Sequence, residues 1–369
     1  MGCSVLLRVD LNVPVLGGVI QSKTRIERVA PTVRFLLSMM AKVIVVSHLG
    51  RPVGYNEAFS LRVLIDTLSE SWGTKVTFVE EVVGEKVKCV VDSLPPGSVV
   101  VLENLRFYKG EVENDMQFAK QLASVADVYV NDAFSCSHRK HASVCAVTEF
   151  LPSFAGLELQ KELQYLDSVV NDAPAAAVIG GAKVLTKIPM LQNLAKKVDF
   201  LILGGVVSHS FLSVVGCNVG GSLCEQCGAV GEVFSIAQEY GCRVVLPKDH
   251  VVARSVNDSG QLKDNVQVKS EDMILDIGHG TLQEIENILG TCRTIFWNGP
   301  MGAFEYSGFS SGTSGLVRSL VFLREKKGVS TIVGGGDSIF AIQSAGYSET
   351  DFSHVSTGGG ALLHFLGLE

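Results

Sequence analysis

No stretch of about 18 uncharged apolar residues occurs in this chain, so no segment reads as a membrane-spanning helix. There is no G-x-x-x-x-G-K-[ST] motif and no G-x-G-x-x-G after a strand, which excludes the common phosphate loop and the dinucleotide fingerprint. The second absence argues against a nicotinamide-dependent dehydrogenase. No basic stripe is present, which argues against a nucleic-acid partner. Met1-Gly2-Cys3 leads directly into SVLLRV without a basic n-region or cleavage site, unlike a secretory leader. Leu6 also stands where a myristoylation signal carries Ser or Thr. The nine cysteines are odd in number and scattered, which fits a reducing cytosol better than a disulfide framework. Cys224 and Cys227 form a lone C-x-x-C without the second pair that a zinc site would need. Together these absences predict a cytoplasmic protein with no membrane partner, and we expect a monomer.

What is present points to a two-domain α/β protein. At 369 residues, with 47% hydrophobic and 19% charged residues, the chain can bury two cores whose sheets are covered on both faces. Residues 1–150 hold 16 Lys+Arg and 16 Asp+Glu, so the whole net charge of −7 lies in the remainder. An anionic ligand must therefore be captured by local arginines, since no global field draws it in.

Short Val/Ile/Leu runs recur at 4–9, 43–47, 75–79, 98–102 and 127–130, then at 176–179, 199–203, 243–246, 293–297 and 330–333. Each is followed by a helix-length segment, which predicts two doubly wound parallel-sheet (Rossmann-like) domains. Between them LELQKELQYLDSVV has a helical apolar period and reads as a connecting helix, with the boundary near residue 170. Ligands of such sheets sit beyond the carboxyl ends of strands. The residues just after each run are therefore the candidates.

In the first half those residues are Asp10 and Asn12, then His48 and Arg51, then Arg106, then His138 and Arg139, with Arg25 a little after the first loop. A lone arginine after a strand is more often a surface ion pair. Four guanidiniums converging with histidines instead make a polyanion site, because each fork binds phosphate or carboxylate bidentately. Asp10 and Asn12 are expected to accept from substrate hydroxyls, and Arg8, inside the first strand, reads as structural or as support behind the site.

In the second half Gly180-Gly181-Ala182-Lys183 follows a strand. Lys187, four residues beyond Lys183, is expected on the same helix face. Gly204-Gly205 follows the next run. FWNGPMGAFE (296–305) supplies Asn298, Gly299 and Glu305, and the loop at 334–338 supplies Gly335, Gly336, Asp337 and Ser338. Glycine loops opening helices hold phosphate on backbone N–H groups. Glu305 suits ribose hydroxyls. Asp337 suits a magnesium ion bridging phosphates, or serves as a helix N-cap. One lobe for a phosphorylated acid and another for a nucleotide imply phosphoryl transfer with water excluded by closure.

At these residues the chain resembles the phosphoglycerate kinase family. The matching motifs are RVDLNVP (8–14), SHLGRP (47–52), ENLRF (103–107), VNDAF (130–134), HRKHAS (138–143), GGAK (180–183) with Lys187, FWNGPMGAFE, GGGDS (334–338) and SHVSTGGG (353–360). The resemblance implies transfer between 1,3-bisphosphoglycerate and ADP, giving 3-phosphoglycerate and ATP, with Mg2+. On that basis residues 1–156 form the phosphoglycerate-binding domain, 157–170 the connecting helix, 171–352 the nucleotide-binding domain and 353–369 a shortened C-terminal return segment. Asp10, Asn12, Arg25, His48, Arg51, Arg106 and Arg139 match acid-binding positions. Lys183, Lys187, Gly299, Glu305 and Gly335 to Ser338 match nucleotide positions. Arg25 and Lys183 are the candidates for stabilising the moving phosphoryl group. No general base is expected, because the acceptor carboxylate is already ionised. Departures cluster near the base. Val206 follows Gly204-Gly205 where the family has a third glycine, and it leads into Val-Ser-His-Ser-Phe where Met-Ala-Phe/Tyr-Thr-Phe is usual. Ile274 replaces a glycine, and Gly278-His279 replaces Gly-Pro. These predict altered nucleotide affinity or base preference. A catalytically weakened nucleotide-binding or regulatory protein on the same scaffold is the alternative.

Overall fold

The apolar runs of the first half become parallel strands because helices cover both faces of the sheet. The computed structural model describes residues 2–225 and 228–367. In it the first half contains β1 (Ser4–Val9), a hairpin of β2 (Val15–Leu16) and β3 (Val19–Ile20), β4 (Lys42–Val46), β5 (Val76–Val79), β6 (Val99–Leu102), β7 (Val128–Asp132) and β8 (Ser153–Ala155). The main sheet runs β5-β6-β4-β1-β7-β8 with every pairing parallel. β1 is central, Leu7 lying opposite Val45 on one side and Val130 on the other. Side chains alternate across it. Leu7, Val43, Val45, Val99 and Val101 join Trp72 in one core, and Leu6, Ile44, Val46, Val100 and Leu102 build the other. Burying each such Val or Leu contributes about 1.5–3 kcal/mol, which is why these strands are apolar throughout.

The second half repeats the plan with β9 (Ala175–Ile179), β10 (Phe200–Leu203), β11 (Arg243–Val245), β15 (Thr294–Asn298), β16 (Ser330–Gly334) and β17 (His354–Ser356), in the parallel order β11-β10-β9-β15-β16-β17. It also has a feature that the periodicity did not disclose. β12 (Asp249–Ala253), β13 (Gln261–Asp264) and β14 (Met273–Ile277) form a separate antiparallel sheet, β13-β12-β14. Its strands mix charged and apolar residues, so none stands out as a buried run.

The connecting helix spans Leu157–Asn171. It begins where it does because Asp132, at the end of β7, accepts from the first-turn N–H groups of Glu158 and Leu159 at 2.9 and 3.0 Å. Arg28 reinforces that turn, 3.4 Å from Glu158 and 3.9 Å from Glu162. The chain divides into two compact units, Met1–Leu163 and Gln164–Glu369, so the division falls inside this helix, ahead of residue 170. The stretch expected as a return segment belongs to the second unit. β17 completes its sheet, and the helix Gly360–Leu366 packs on the helix Ile188–Ala195. Residues 368–369 and Cys227 of the C-x-x-C lie outside the described residues, and the described cysteines are free thiols. Among the described residues no helix is long and apolar enough to cross a membrane.

Candidate functional sites

The loops after β1, β4, β6 and β7 bring the first unit's candidates together. Arg25 Nη1 lies 2.8 Å from Asp10 Oδ2 and donates to the Asn12 carbonyl at 2.9 Å. Asp10 also accepts from the Asn12 N–H at 2.9 Å and from the Ser135 hydroxyl. Asn12 Oδ1 accepts from the Gly50 N–H at 2.8 Å, and its amide NH2 makes no hydrogen bond among the described residues, so the side chain offers a ligand a donor as well as the acceptor that the sequence suggested. Asn104 ties the loops after β4 and β6, donating to the carbonyls of Leu49 and Phe59 at 2.8 and 2.9 Å and accepting from the Arg106 N–H at 3.0 Å.

His48 is buried, and its protonation state is fixed by neighbours. Arg8 Nη2 lies 3.1 Å from His48 Nδ1. A guanidinium can only donate, so Nδ1 accepts and the ring proton sits on Nε2. Burial, then the charges of Arg8, Arg106, Arg139 and Arg25, hold the imidazole well below its ordinary value, so it is neutral. Arg8 is structural, as its place in the strand suggested. It is fully buried, and it donates to Ser143 Oγ at 3.0 Å and to the Val9 carbonyl. Behind it Glu111 accepts from Ser143 N and Oγ at 2.9 and 2.7 Å and lies 3.6 Å from His141 Nδ1. Burial opposes ionisation of Glu111, but His141, Arg8 and Ser143 outweigh it and the carboxyl is shifted down. This supporting tier was not singled out from the sequence, although Ser143 and His141 lie inside the quoted HRKHAS and Glu111 shortly after ENLRF.

The remaining arginines are short of counter-charge. Among the described residues Arg51 is exposed and Arg139 Nε is buried without a hydrogen-bond acceptor, while the Arg106 guanidinium donates only to the uncharged Gly50 carbonyl. Burial, then repulsion from Arg139, Arg8 and Arg51, brings Arg106 down to about 10. Several guanidiniums facing one another across a wall with one carboxylate, already paired, form a receptor for a multiply charged anion.

The second unit's candidates collect at the carboxyl ends of β9, β10, β15 and β16. Lys183 and Lys187 do not share a helix face. Both lie in the loop before the helix Ile188–Ala195, which starts only at Ile188 with Pro189 in its first turn. Lys183 is exposed, and its side chain makes no hydrogen bond or ion pair among the described residues. Lys187 is buried, its Nζ donating to the Gly180 carbonyl at 2.5 Å and to Asn298 Oδ1 at 2.8 Å. Burial lowers its pKa to about 8, although the charge of Asp337 opposes the shift. Gly299 sits at φ +91, and a Cβ there would lie 2.5 Å from the Gly180 oxygen, so only glycine fits.

The helix Gly336–Ser344 is capped by Gly335, not by Asp337. Asp337 lies in its first turn with an exposed carboxylate. The N–H groups of Gly336, Asp337 and Ser338 are left for a ligand, as at any helix start. The Ser338 hydroxyl is engaged within the fold: it donates to the Gly334 carbonyl at 2.9 Å and accepts from the Gly299 N–H at 2.7 Å. A cavity of ≈ 310 Å3 opens from this helix start. Gly181, Gly205, Pro300, Glu305 and Asp337 line it, and it continues to Val206, Leu223, Met273 and Ile274 on the apolar side. His279 does not line it. It opens the helix His279–Leu289, whose Gly280 and Thr281 N–H groups donate to Asp249 at 2.9 and 2.7 Å. Of the departures noted in the sequence, Val206, Ser208, His209 and Ile274 therefore face the cavity and Gly278-His279 does not.

Comparison with known proteins agrees with this geometry. The family model described as Phosphoglycerate kinase matches residues 1–368. A phosphoglycerate kinase of Wolbachia sp. subsp. Drosophila simulans (strain wRi) is 46% identical over 368 residues, covering 98% of this chain and 92% of its own. One from Sphingopyxis alaskensis is 42% identical over 372 residues, covering 99% and 93%. The solved phosphoglycerate kinase of Coxiella burnetii superposes with a TM-score of 0.91 at 36% identity, covering 100% of this chain and 94% of that one. That of Pyrococcus horikoshii OT3 gives 0.79 at 30% identity, with coverages of 99% and 93%.

Proposed function

The chain belongs to the phosphoglycerate kinase family, and from that premise we propose how its residues carry the reaction. The protein transfers a phosphoryl group reversibly between 1,3-bisphosphoglycerate and ADP, giving 3-phosphoglycerate and ATP. The observation that carries our assignment of the acid site is the group of arginines, Arg51, Arg106 and Arg139, that lack carboxylate partners beside a neutral His48. A substrate with one phosphate and one carboxylate supplies the missing charge. Asn12 and His48 Nε2 donate to it, and Asp10 accepts from its hydroxyl.

Arg25 retains Nε and Nη2 for the transferred group while Nη1 stays on Asp10 and Asn12. Lys183, without a partner of its own, supplies the second positive charge. Lys187 has its protons on loop oxygens, so it acts through its field and by holding the Gly180 and Asn298 segments in place. The nucleotide's phosphates lie on the free N–H groups at the start of the helix Gly336–Ser344, and Glu305 takes the ribose hydroxyls. No cluster of three or more metal-ligating side chains occurs among the described residues. That fits Mg2+ carried on the nucleotide's phosphates, which needs a single protein carboxylate, and Asp337 would hold it. When bound, the ion neutralises phosphate charge.

The acceptor is a carboxylate, already ionised at neutral pH. Its oxygen forms the new P–O bond as the bond to ADP breaks, and no proton moves. A neutral, Nε2-protonated His48 is a donor and cannot be the base such a step would otherwise need. The chain's residues therefore position and stabilise charge. A coupled assay with 3-phosphoglycerate and MgATP tests this assignment. Arg25→Ala and Lys183→Ala should each lower kcat at least about 100-fold, on the scale of losing a charge-stabilising donor, with KM changing less. Retention of full kcat by both would refute it.

A further inference from the structure

Beyond the phosphate floor, the second unit's cavity ends against two buried imidazoles, and each is fixed as a hydrogen-bond acceptor. His209 lies on the helix Gly205–Val214 with Nδ1 2.8 Å from the Leu223 carbonyl. A carbonyl only accepts, so Nδ1 carries the proton and Nε2 presents a lone pair. No partner for that Nε2 occurs among the described residues. His250, on β12, has Nε2 2.5 Å from Asn265 Oδ1, and the Asn265 NH2 donates to the Pro247 carbonyl at 3.1 Å. That second bond sets the amide's orientation, so Oδ1 accepts from the His250 Nε2–H. His250 Nδ1 is left as a lone pair, buried and unpartnered. The residues are only 3% and 1% exposed. Burial keeps both rings neutral, taking His209 down to about 4 and lowering His250. Apolar Val206, Leu223, Met273 and Ile274 line the same cavity.

Unpaired acceptors in an apolar enclosure are unfavourable unless the ligand brings N–H donors. We propose that His209 Nε2, backed by His250 Nδ1, reads the exocyclic amino group of the nucleotide base and makes this kinase selective for adenine over 6-oxopurines. An amino group at the purine 6-position offers two N–H donors to this end of the cavity. A 6-carbonyl would set acceptor against acceptor, and a purine with hydrogen at that position would leave the imidazoles unsatisfied. Discrimination of this kind is stronger than apolar shape alone provides, because the wrong base leaves buried polar groups unpaired. The inference rests on the reading of this cavity as the nucleotide site.

The test measures kcat and KM for MgATP, MgITP, MgGTP and Mg–purine riboside triphosphate in the 3-phosphoglycerate assay, with the unaltered protein and with His209→Phe. The unaltered protein should favour ATP over each of the others by about tenfold or more in kcat/KM, the effect of one buried hydrogen bond. The difference should lie in KM, because the base is remote from the bond being made. His209→Phe should bring the ratio of ATP to purine riboside triphosphate below about threefold. Use of purine riboside triphosphate by the unaltered protein within threefold of ATP would overturn the proposal, and that comparison needs no variant to fold. An unchanged ratio in His209→Phe would overturn it too. Absence of turnover with any nucleotide, together with absence of MgADP binding by calorimetry, would overturn the nucleotide-site reading as well, whereas turnover without discrimination overturns only the role of the histidines.

Discussion

Lys187 Nζ sits 2.8 Å from Asn298 Oδ1 and 2.5 Å from the Gly180 carbonyl, so one ammonium fastens the loops after β9 and β15. No carboxylate joins it there, and burial brings its pKa to about 8. Activity should therefore fall as pH rises through about 8, as the ammonium loses its proton. The second unit's stability should change in the opposite direction. The folded pKa lies below the ordinary 10.5, so the unfolded chain binds the proton more tightly and this group favours folding more as pH rises from 8 toward 10.5. A pH profile of kcat/KM beside urea unfolding at pH 7.5 and 9.5 separates the two effects. Lys187→Arg should shift the alkaline limb upward.

His48 has a depressed pKa in the folded state, held there by burial and by surrounding arginines. Its contribution to stability is present above the ordinary value of 6.5 and is lost as pH falls below it, because the unfolded chain takes up the proton first. The two tryptophans make this measurable by unit: Trp72 lies in the first and Trp297 in the second. With Trp297→Phe as background, the urea midpoint read from Trp72 should be lower at pH 5.5 than at pH 7.5. Adding His48→Asn should reduce that difference. An undiminished difference would assign it to another group.

Arg51 is exposed and makes no hydrogen bond or ion pair among the described residues, so Arg51→Ala should leave stability within about 0.5 kcal/mol. Loss of a charge-assisted contact of about 1.5–3 kcal/mol should raise KM for 3-phosphoglycerate about 10- to 100-fold. Thermal melts without substrate and Michaelis plots with it check both halves. A large drop in Tm would show that Arg51 supports the fold instead.

Asp132 accepts from two first-turn N–H groups of the connecting helix. Asp132→Ala should destabilise the first unit by about 1–2 kcal/mol through loss of the cap. Urea unfolding followed at Trp72 measures it, and Asp132→Asn, which can still accept, should recover part of the loss.

Much of this architecture was legible in the sequence because parallel strands buried on both faces are unbroken apolar runs. Runs such as 98–102 and 330–333 fall on β6 and β16 within a residue. The antiparallel sheet β13-β12-β14 was not legible: DHVVA buries an aspartate and a histidine among its valines and QLKD is largely exposed, so neither reads as an unbroken apolar run. At the sites, residue types and their order after each strand were readable, but hydrogen-bond direction was not. Nothing in the sequence tells that Asn12 accepts from the Gly50 N–H, that Ser338 is a strut, or that Gly335 and not Asp337 caps the helix Gly336–Ser344. The pairing of Lys183 with Lys187 failed because Pro189 favours a helix start at Ile188, leaving both lysines in the preceding loop.

The floor of the second site is made of backbone. Gly181 N–H donates to the Pro300 carbonyl at 2.8 Å and Gly205 N–H to the Met301 carbonyl at 3.0 Å, and a Cβ on Gly180 would lie 2.1 Å from the Pro300 oxygen. Amino-acid replacement has almost nothing to act on there, since any side chain would push the segments apart. Elsewhere the same pocket is lined by residues with substantial side chains, among them Val206, His209, Leu223, His250 and Ile274. Evolutionary change in this enzyme is thereby channelled: the end that handles phosphate is frozen by geometry, while the end at Val206, His209, His250 and Ile274 can drift and acquire a new chemical preference without disturbing the reaction.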